Sequence, residues 1–263
     1  MRTYSGTMDL SVADHALAAL AAAAAGLVNA VAGGGTLITF PTLLALGVPA
    51  VSSNMTNTLA LCPGYVGGTL AQRDDLSGQR RRVPVLAVAS ATGGLIGSIL
   101  LAASSERLFR TLVPFLILGA CLLLVSSDRI KAALPPRPPV EQAGRMGGAP
   151  VTLAVSVFGI GVYAGYFGAG IGIIGLAVLS VTLDETMVRI NALKQLIAFT
   201  SNVVAAVFFA FSGKVVFSLA LVMAPASLLG GNLGGRVVRH LNPRVMRAVV
   251  VTVGVAVALN FWR

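Results

Sequence analysis

Residues 93–97 read Gly-Gly-Leu-Ile-Gly, and the pattern returns 137 positions later, where residues 230–234 read Gly-Gly-Asn-Leu-Gly. An Arg-x-x-Arg pair follows each stretch at the same distance, in residues 107–110 and 244–247. A fixed internal period is the signature of a chain built from repeated structural units. We therefore interpret this sequence as one unit that is present twice.

Polar and glycine positions outside these stretches repeat as well. Asn54 corresponds to Asn191 at the same offset of 137. Further upstream the offset is 135, and there the corresponding glycines are Gly26, Gly33 and Gly35 in the first copy and Gly161, Gly168 and Gly170 in the second. The change of offset indicates a two-residue insertion in the second copy.

The composition is that of a membrane protein. Apolar residues make up 56% of the chain and charged residues 11%, whereas a soluble domain carries roughly 25% charged residues. A helix needs about 20 mostly apolar residues to cross a bilayer. These runs are continuous, unlike the short alternating segments of an outer-membrane barrel. Six spans are predicted, at residues 54–72, 83–105, 111–127, 191–213, 215–235 and 248–262.

Two further apolar segments, 16–46 and 151–182, are long for a single crossing and have glycine clusters in their middle. The clusters are Gly33-Gly34-Gly35 and Gly168-Ala169-Gly170. Glycine lets a backbone turn sharply, and irregular backbone survives at membrane depth only where it is buried in protein or lines a wet cavity. We predict that each segment is a broken, re-entrant hairpin.

The charges of the loops favour one topology. If each glycine-rich segment enters and leaves on one side, each repeat crosses the bilayer three times and the two repeats are inverted. That arrangement places 13 Lys and Arg residues inside and 5 outside, against 11 and 7 if every segment crosses once, so the positive-inside rule favours it. The predicted fold is an all-α integral membrane protein with two inverted repeats, residues 1–127 and 150–263, joined by a Pro-rich cytoplasmic linker at 128–149.

Other function classes find no support in the residues. The net charge of +10 is carried by loops between spans, where positive-inside bias accounts for it, so nucleic acid is not an expected partner. Cys62 and Cys121 both fall in apolar spans and are interpreted as packing residues. The sequence shows no His, Cys and carboxylate ligand cluster, nucleophile elbow or Walker loop. We predict no metal, no cofactor and no enzymatic activity.

Lys194 is the only Lys, Arg, Asp or Glu within a predicted span. An ionisable group at that depth is expensive and suggests a function. Asn191 shares its helix face, and Asn54 and Asn57 occupy the matching positions of the first repeat. The functional interpretation is an anion ligand near the axis that relates the repeats. The alternative is that Lys194 extends to the cytoplasmic interface.

The glycine clusters supply the rest of the predicted site. Helix N-termini at the two breaks would expose N–H groups and positive dipole ends that suit an anion. Tight helix packing by small residues is the alternative; we assign it to residues 93–97 and 230–234 and prefer the binding role for the clusters. The predicted substrate-binding residues are Asn29, Gly33, Gly34, Gly35, Asn54, Asn57, Thr58, Gly168, Ala169, Gly170, Asn191, Lys194, Gln195 and Asn202.

Residues 26–47 (GLVNAVAGGGTLITFPTLLALG), with Pro49 and residues 54–58 after them, resemble the opening signature of the sulfite exporter TauE/SafE family of membrane permeases. Residues 190–213 (INALKQLIAFTSNVVAAVFFAFSG) resemble the second-repeat signature of that family, with its lysine, its asparagine and its Phe-x-x-x-Gly ending. The resemblance covers about residues 12–260. It implies a multi-pass bacterial inner-membrane protein that moves small anions, mostly sulfur-containing ones such as sulfite, sulfoacetate and other sulfonates.

The hypothesis is therefore secondary transport. An anion would bind the N–H groups of the glycine clusters and Lys194, and one repeat would rock against the other to switch access. No Asp or Glu lies in a predicted span, so a carboxylate proton relay is not expected. Two alternatives stay open: a transporter of a neutral or cationic solute, and a membrane scaffold or assembly protein without transport. The expected partners are the anionic substrate and the lipid bilayer, and the sequence leaves a coupling ion and a homo-oligomer undecided.

Overall fold

The computed structural model describes residues 10–31, 34–76, 79, 81–133, 151–183, 185–237 and 243–260. Every regular element within those ranges is helical. The first half contains α1 (Val12–Val31), α2 (Thr36–Ala45), α3 (Ala50–Ala71), a 3-10 turn (Arg73–Leu76), α4 (Arg82–Ala103) and α5 (Glu106–Ala132). The second half contains α6 (Val151–Tyr166), α7 (Ile171–Thr182), α8 (Met187–Ala210), α9 (Phe217–Val237) and α10 (Pro243–Asn260).

The six predicted spans fall on α3, α4, α5, α8, α9 and α10. On their outer surface, large side chains such as Leu122 and Leu229 are more than half exposed, which suits contact with lipid. By length and composition, four helices of the described ranges can cross a bilayer, over Val12–Asn29, Arg82–Ala103, Glu106–Ser126 and Val188–Ala210.

The first glycine-rich segment is a helical hairpin. Leu43 of α2 joins Ala18 and Ala22 of α1 in one buried cluster, so α2 runs back along α1. Leu10 before α1 and Leu46 after α2 both pack against that cluster. The two ends of the hairpin therefore lie together. With 10 residues, α2 rises about 15 Å, half the thickness of a bilayer core.

The second glycine-rich segment folds in the same way. Leu153 near the start of α6 shares a buried cluster with Leu179 and Leu183 at the end of α7. Leu86 and Ile190, near the starts of α4 and α8, belong to the same cluster. This hairpin therefore opens at the end of the molecule where α4 and α8 begin.

The two halves are interlocked by their first helices. The most extensive contacts in the molecule join α1 to α9 and α6 to α4. Gly161 of α6 meets the backbone of α4, and the equivalent Gly26 of α1 meets the backbone of α9. Small residues permit this close approach. The glycine stretches 93–97 and 230–234 supply the other side of these contacts, as the packing interpretation predicted.

The equivalent helices α3 and α8 run antiparallel where they touch. At one end of the α3–α8 pair the Ser212 hydroxyl lies 3.5 Å from the Met55 sulfur, and at the other end Asn191 donates to Gln72 at 2.7 Å. The start of α3 thus lies beside the end of α8. The helices of the two halves correspond in order, α1–α5 to α6–α10. Under this correspondence the contact of α4 with α8 is equivalent to that of α9 with α3, and the contact of α2 with α10 is equivalent to that of α7 with α5.

These contacts define two ends of the molecule: the α3 end, where α3 begins, and the α8 end, where α8 begins. At the α3 end, the Val216 N–H donates to Thr56 at 3.0 Å, and the first hairpin opens beside Val48. At the α8 end, the second hairpin opens beside Leu183 and Ile190. The two hairpins therefore enter the molecule from opposite ends.

Helix α5 extends past residue 128, where the linker was predicted to begin. Helix α5 continues without interruption from Glu106 to Ala132, whereas the sequence analysis started the linker at residue 128. The residues involved, Arg-Ile-Lys-Ala, are mostly good helix formers, and the helix can continue until Pro135 approaches. Residues 134–150, with the rest of the predicted linker, lie outside the described ranges.

Candidate functional site

Both chain breaks lie against one face of α3. The Asn54 amide nitrogen donates to the carbonyl oxygen of Tyr166, 2.9 Å away, where α6 ends. One turn later, Asn57 accepts a short hydrogen bond from Thr39 of α2 and donates to Thr36 at 3.5 Å. Asn54 and Asn57 are 1% and 2% exposed. A single buried face of α3 therefore joins the end of α6 to the start of α2.

The Asn54 side chain holds an unused acceptor. Because the Tyr166 carbonyl oxygen needs a donor, the amide nitrogen of Asn54 faces it and Oδ1 points elsewhere. Among the described residues, no donor reaches this buried oxygen. Buried polar atoms are nearly always paired. The Asn54 oxygen is therefore suited to a donor that arrives with a ligand, such as water or the O–H of a protonated oxyanion.

Asn29 caps the start of α2. Its Oδ1 accepts the N–H of Gly35 at 2.7 Å, which satisfies one of the N–H groups that the first turn of a helix leaves unpaired. Gly34 has a φ of 102°, a conformation that favours glycine. Gly33, which was also predicted in the site, lies outside the described residues. The side-chain amide of Asn29 thus stabilises the first break.

Tyr163 holds the second break. Its hydroxyl donates to the carbonyl oxygen of Ala169 at 2.6 Å. Gly168 and Gly170 on either side have φ values of 77° and 76°, which only glycine adopts readily. Tyr163 was not among the residues predicted from the sequence. The available signal was a tyrosine in an otherwise apolar helix shortly before a glycine cluster, because a buried hydroxyl needs a partner.

Lys194 lies along α7, the half-length helix that starts at the second break. Its side chain is half-buried, and a Cβ added to Gly175 would lie 3.3 Å from its Cγ. Gly175 stands just over one turn inside α7. The absence of a side chain at Gly175 therefore leaves the space that the lysine stem occupies.

The predicted residues fall into two groups rather than one. Asn191 donates to Gln72 at 2.7 Å, and the Gln195 carbonyl oxygen accepts from Thr69 at 3.4 Å, so both lie beside the end of α3. Asn54 and Thr69 are 15 residues apart on α3, which is about 22 Å of helical rise. The structure therefore places Asn54 and Asn57 in one group and Asn191 and Gln195 in another. Because α3 and α8 are antiparallel, their equivalent positions lie far apart.

Two predicted residues hydrogen-bond within their own helices. Thr58 donates to the carbonyl oxygen of Asn54 at 3.0 Å, and Asn202 donates to that of Ala198 at 2.8 Å. Such bonds to the preceding turn satisfy a buried side chain without help from outside. Thr58 and Asn202 therefore have a structural use that does not depend on a ligand.

A cavity of about 460 Å³ lies at the α3 end, between α2, α3, α5 and α10. Glu106 and Arg110 of α5 contribute its charged groups, and Pro41 and Leu44 of α2 contribute apolar surface. None of the predicted site residues lines it. Across the described ranges, no three His, Cys, Asp or Glu side chains converge as metal ligands would.

Comparison with known proteins identifies what the chain is similar to. The sequence model of the family described as "Sulfite exporter TauE/SafE" matches residues 18–261. A probable membrane transporter protein of Haemophilus influenzae is 28% identical over 227 residues, covering 86% of each chain. A probable membrane transporter protein of a Sinorhizobium species, ORF9, is 29% identical over 253 residues, covering 95% of this chain and 93% of the relative. The probable membrane transporter protein YfcA of Escherichia coli is 25% identical over 233 residues, with 87% and 82% covered.

Proposed function

The chain belongs to the sulfite exporter TauE/SafE family, and from that membership we propose that it carries a small anion across the bacterial inner membrane. The family description and the names of the relatives point to a membrane transporter. The substrate class we propose is a sulfur oxyanion or an organosulfonate, such as sulfite or sulfoacetate.

The observation that carries the proposal is the position of Lys194 beside the first turns of α7. A helix N-terminus carries roughly half a positive charge and several unpaired N–H groups. A lysine beside it adds a second attraction for negative charge. An anion gains from both features, whereas a cation is repelled by both.

The first break offers a matching arrangement without the lysine. Helix α2 begins there, and Asn57, which occupies the position equivalent to Lys194, contacts its first turn through Thr36 and Thr39. Amide and hydroxyl groups can orient the oxygens of a sulfur oxyanion, but they bring no net charge. We therefore place the charge-balancing contact in the second half and an orienting contact in the first.

Alternating access between inverted repeats is the transport mechanism that we propose. The antiparallel pair of α3 and α8 supports it, as do the hairpins that enter from opposite ends. The two groups of polar residues lie towards opposite ends of the molecule, so an anion would pass from one to the other as the repeats rock.

The test compares Lys194→Gln with Lys214→Gln in purified protein. The Lys214 ammonium donates to the Ala102 carbonyl oxygen at 2.8 Å, at the end of α4, so it is a lysine of similar burial with a capping role. We would measure thermal stabilisation by sulfite, sulfoacetate, thiosulfate, sulfate and chloride, and then uptake of the stabilising anion into proteoliposomes. A ligand at 100 times its Kd stabilises the folded state by about 2.7 kcal/mol.

We expect one sulfur oxyanion to stabilise the parent and Lys214→Gln, and to leave Lys194→Gln unaffected. Uptake should fall at least tenfold in Lys194→Gln only. Full activity in Lys194→Gln would remove the lysine from the site. If no anion stabilises the parent or is taken up, the substrate is not an anion of this class.

A further inference from the structure

Glu185 forms a buried ionic contact between the two halves of the molecule. One carboxylate oxygen lies 2.7 Å from the Arg82 guanidinium of α4, and the other lies 3.3 Å from that of Arg189 in α8. The Glu185 side chain is 0% exposed and that of Arg82 8%. In sequence Glu185 lies between predicted spans, so its burial was not foreseen. Leu183, two residues before Glu185, and Leu86, four residues after Arg82, are buried in one hydrophobic cluster.

The geometry around Glu185 is that of an anion-binding site already filled by the chain's own carboxylate. Glu185 directly precedes Thr186, the residue that caps α8 by accepting the Arg189 N–H. The N-terminus of a 24-residue helix favours negative charge at this point. Two arginine side chains add charge-assisted hydrogen bonds. All three features attract a carboxylate, and they would attract an oxyanion equally.

Arg82 is not placed where a helix prefers a cation. It is the first residue of α4, and positive charge near a helix N-terminus is unfavourable because it meets the positive end of the dipole. Its burial adds a desolvation cost. The position of Arg82 is therefore explained by the anion it binds and not by the stability of α4.

The other half of the molecule builds the same contact without charges. At the offset of 137, Arg82 corresponds to Leu219 and Glu185 corresponds to Val48. Leu219 and Val48 are 0% and 2% exposed and belong to one hydrophobic cluster at the α3 end. An apolar pair is thus sufficient to pack this joint of the fold. A buried ion pair is often no more stabilising than well-packed hydrophobic residues.

We propose that Arg82 and Arg189 form an anion-binding site at the α8 end. Glu185 occupies this site while the α8 end is closed, and the transported anion displaces Glu185 as the two halves separate. The proposal rests on the proposed anion transport. The two ends then open differently. At the α8 end the transported anion replaces the Glu185 carboxylate on the two arginines, whereas at the α3 end the apolar contact around Leu219 and Val48 separates. A sulfur oxyanion, like a carboxylate, presents several oxygens that can accept from both arginines.

The test replaces the ion pair by the apolar pair of the other end. The double variant Arg82→Leu with Glu185→Val removes both members of the buried pair and leaves the part-buried Arg189 without this carboxylate, so we expect it to fold with a thermal midpoint close to that of the parent. Its sulfite uptake into proteoliposomes should fall at least tenfold. Uptake equal to that of the parent would overturn the proposal, because the contact would then serve packing alone.

A second variant, Glu185→Gln, keeps the size of the side chain and removes its charge. We expect sulfite and sulfate to stabilise this variant more than the parent, with an apparent Kd about tenfold lower, because the arginines no longer have a competing carboxylate. An unchanged or higher Kd would count against the site. The matched control for Glu185→Gln is Leu219→Arg with Val48→Glu. This variant adds an Arg–Glu pair at the α3 end and leaves Arg82 and Glu185 unchanged.

A readout without substrate separates this proposal from the proposed function. Gln79 is 2% exposed and lies three residues before Arg82. In a variant that lacks Cys62 and Cys121, we would label Gln79→Cys with a membrane-impermeant maleimide. Adding Glu185→Gln should speed the labelling at least fivefold, whatever the substrate is. If labelling accelerates but no sulfur oxyanion binds the parent, the ionic closure holds and the proposed substrate fails; unchanged labelling overturns the closure itself.

Discussion

A Cβ on Gly161 of α6 would lie 2.5 Å from the carbonyl oxygen of Ser90 on α4. The equivalent residue, Gly26, approaches the carbonyl oxygen of Ser227 on α9 in the same way. Each half thus inserts its first helix against the fourth helix of the other half, and in both places glycine makes the distance feasible. These two contacts hold the halves together.

Gly161→Ala should therefore destabilise the protein. The new methyl group meets backbone atoms that cannot rotate away, and overpacking of this kind costs about 1–3 kcal/mol. Gly159 lies on the same helix with no atom within 4 Å of its added Cβ. Gly159→Ala should be neutral or slightly stabilising, since alanine favours helix more than glycine by about 1 kcal/mol. Thermal unfolding in detergent compares the two; equal midpoints would contradict the close packing.

Asn54→Leu should reduce transport more than stability. The change removes the bond to Tyr166 and the unpaired buried oxygen together. A leucine fills similar volume but leaves the Tyr166 carbonyl oxygen without this donor, so we expect a stability loss of about 1–2 kcal/mol and an uptake at least tenfold lower. Ser53→Ala serves as the control, because the neighbouring Ser53 hydroxyl donates to the Val48 carbonyl oxygen. Parent-like uptake by Asn54→Leu would exclude the residue from the anion path.

Tyr163→Phe should loosen the second break. Losing the hydrogen bond to Ala169 leaves a buried carbonyl oxygen without its donor, and we expect a loss of about 1–2 kcal/mol. Amide exchange near Ile173 should quicken, because the first turn of α7 depends on this bend. In Tyr166→Phe, which removes a weaker contact to Ser104 at 3.3 Å, exchange there should stay unchanged. Hydrogen exchange with mass spectrometry distinguishes the variants, and equal exchange in both would argue against the bond.

Glu106→Ala should destabilise the start of α3. The Glu106 carboxylate of α5 accepts the N–H groups of Ala50 and Val51, the second at 3.1 Å. Removing a helix cap costs about 0.5–2 kcal/mol. Glu106→Gln should fall between the parent and Glu106→Ala, since its oxygen still accepts a hydrogen bond but brings no charge to the helix dipole. Thermal midpoints that did not follow this order would show that the cap is not needed.

The helices and breaks were largely readable from the sequence. Continuous apolar runs predicted α4, α5 and α8 within a few residues, and the glycine clusters predicted that 16–46 and 151–182 each form two pieces. Hydropathy and glycine spacing are properties of neighbouring residues, so local sequence carries them. The end of α5 was missed because Arg, Lys and Ala favour a helix in water as well as in lipid.

The composition of the site was less readable. Lys194 was predicted as a site residue because a charge in an apolar run is visible at once. Tyr163 and Glu185 were missed because their roles depend on what they meet. Glu185 lies 103 positions from Arg82, and nothing in the sequence near either residue shows that the two touch.

By itself, the sequence determined that the chain is a helical membrane protein, predicted two copies of one unit, and located the glycine clusters at which two apolar segments divide into shorter helices. Local hydropathy, charge and internal period are sufficient for those conclusions. Only the tertiary structure decided that α1 packs on α9 and α6 on α4, and that Asn54 and Asn191 lie at opposite ends of an antiparallel pair. It also decided that Arg82 and Glu185 form a buried ion pair, whereas the corresponding Leu219 and Val48 lie in one hydrophobic cluster. Those outcomes depend on which distant backbones approach each other, and that is set by packing across the whole molecule.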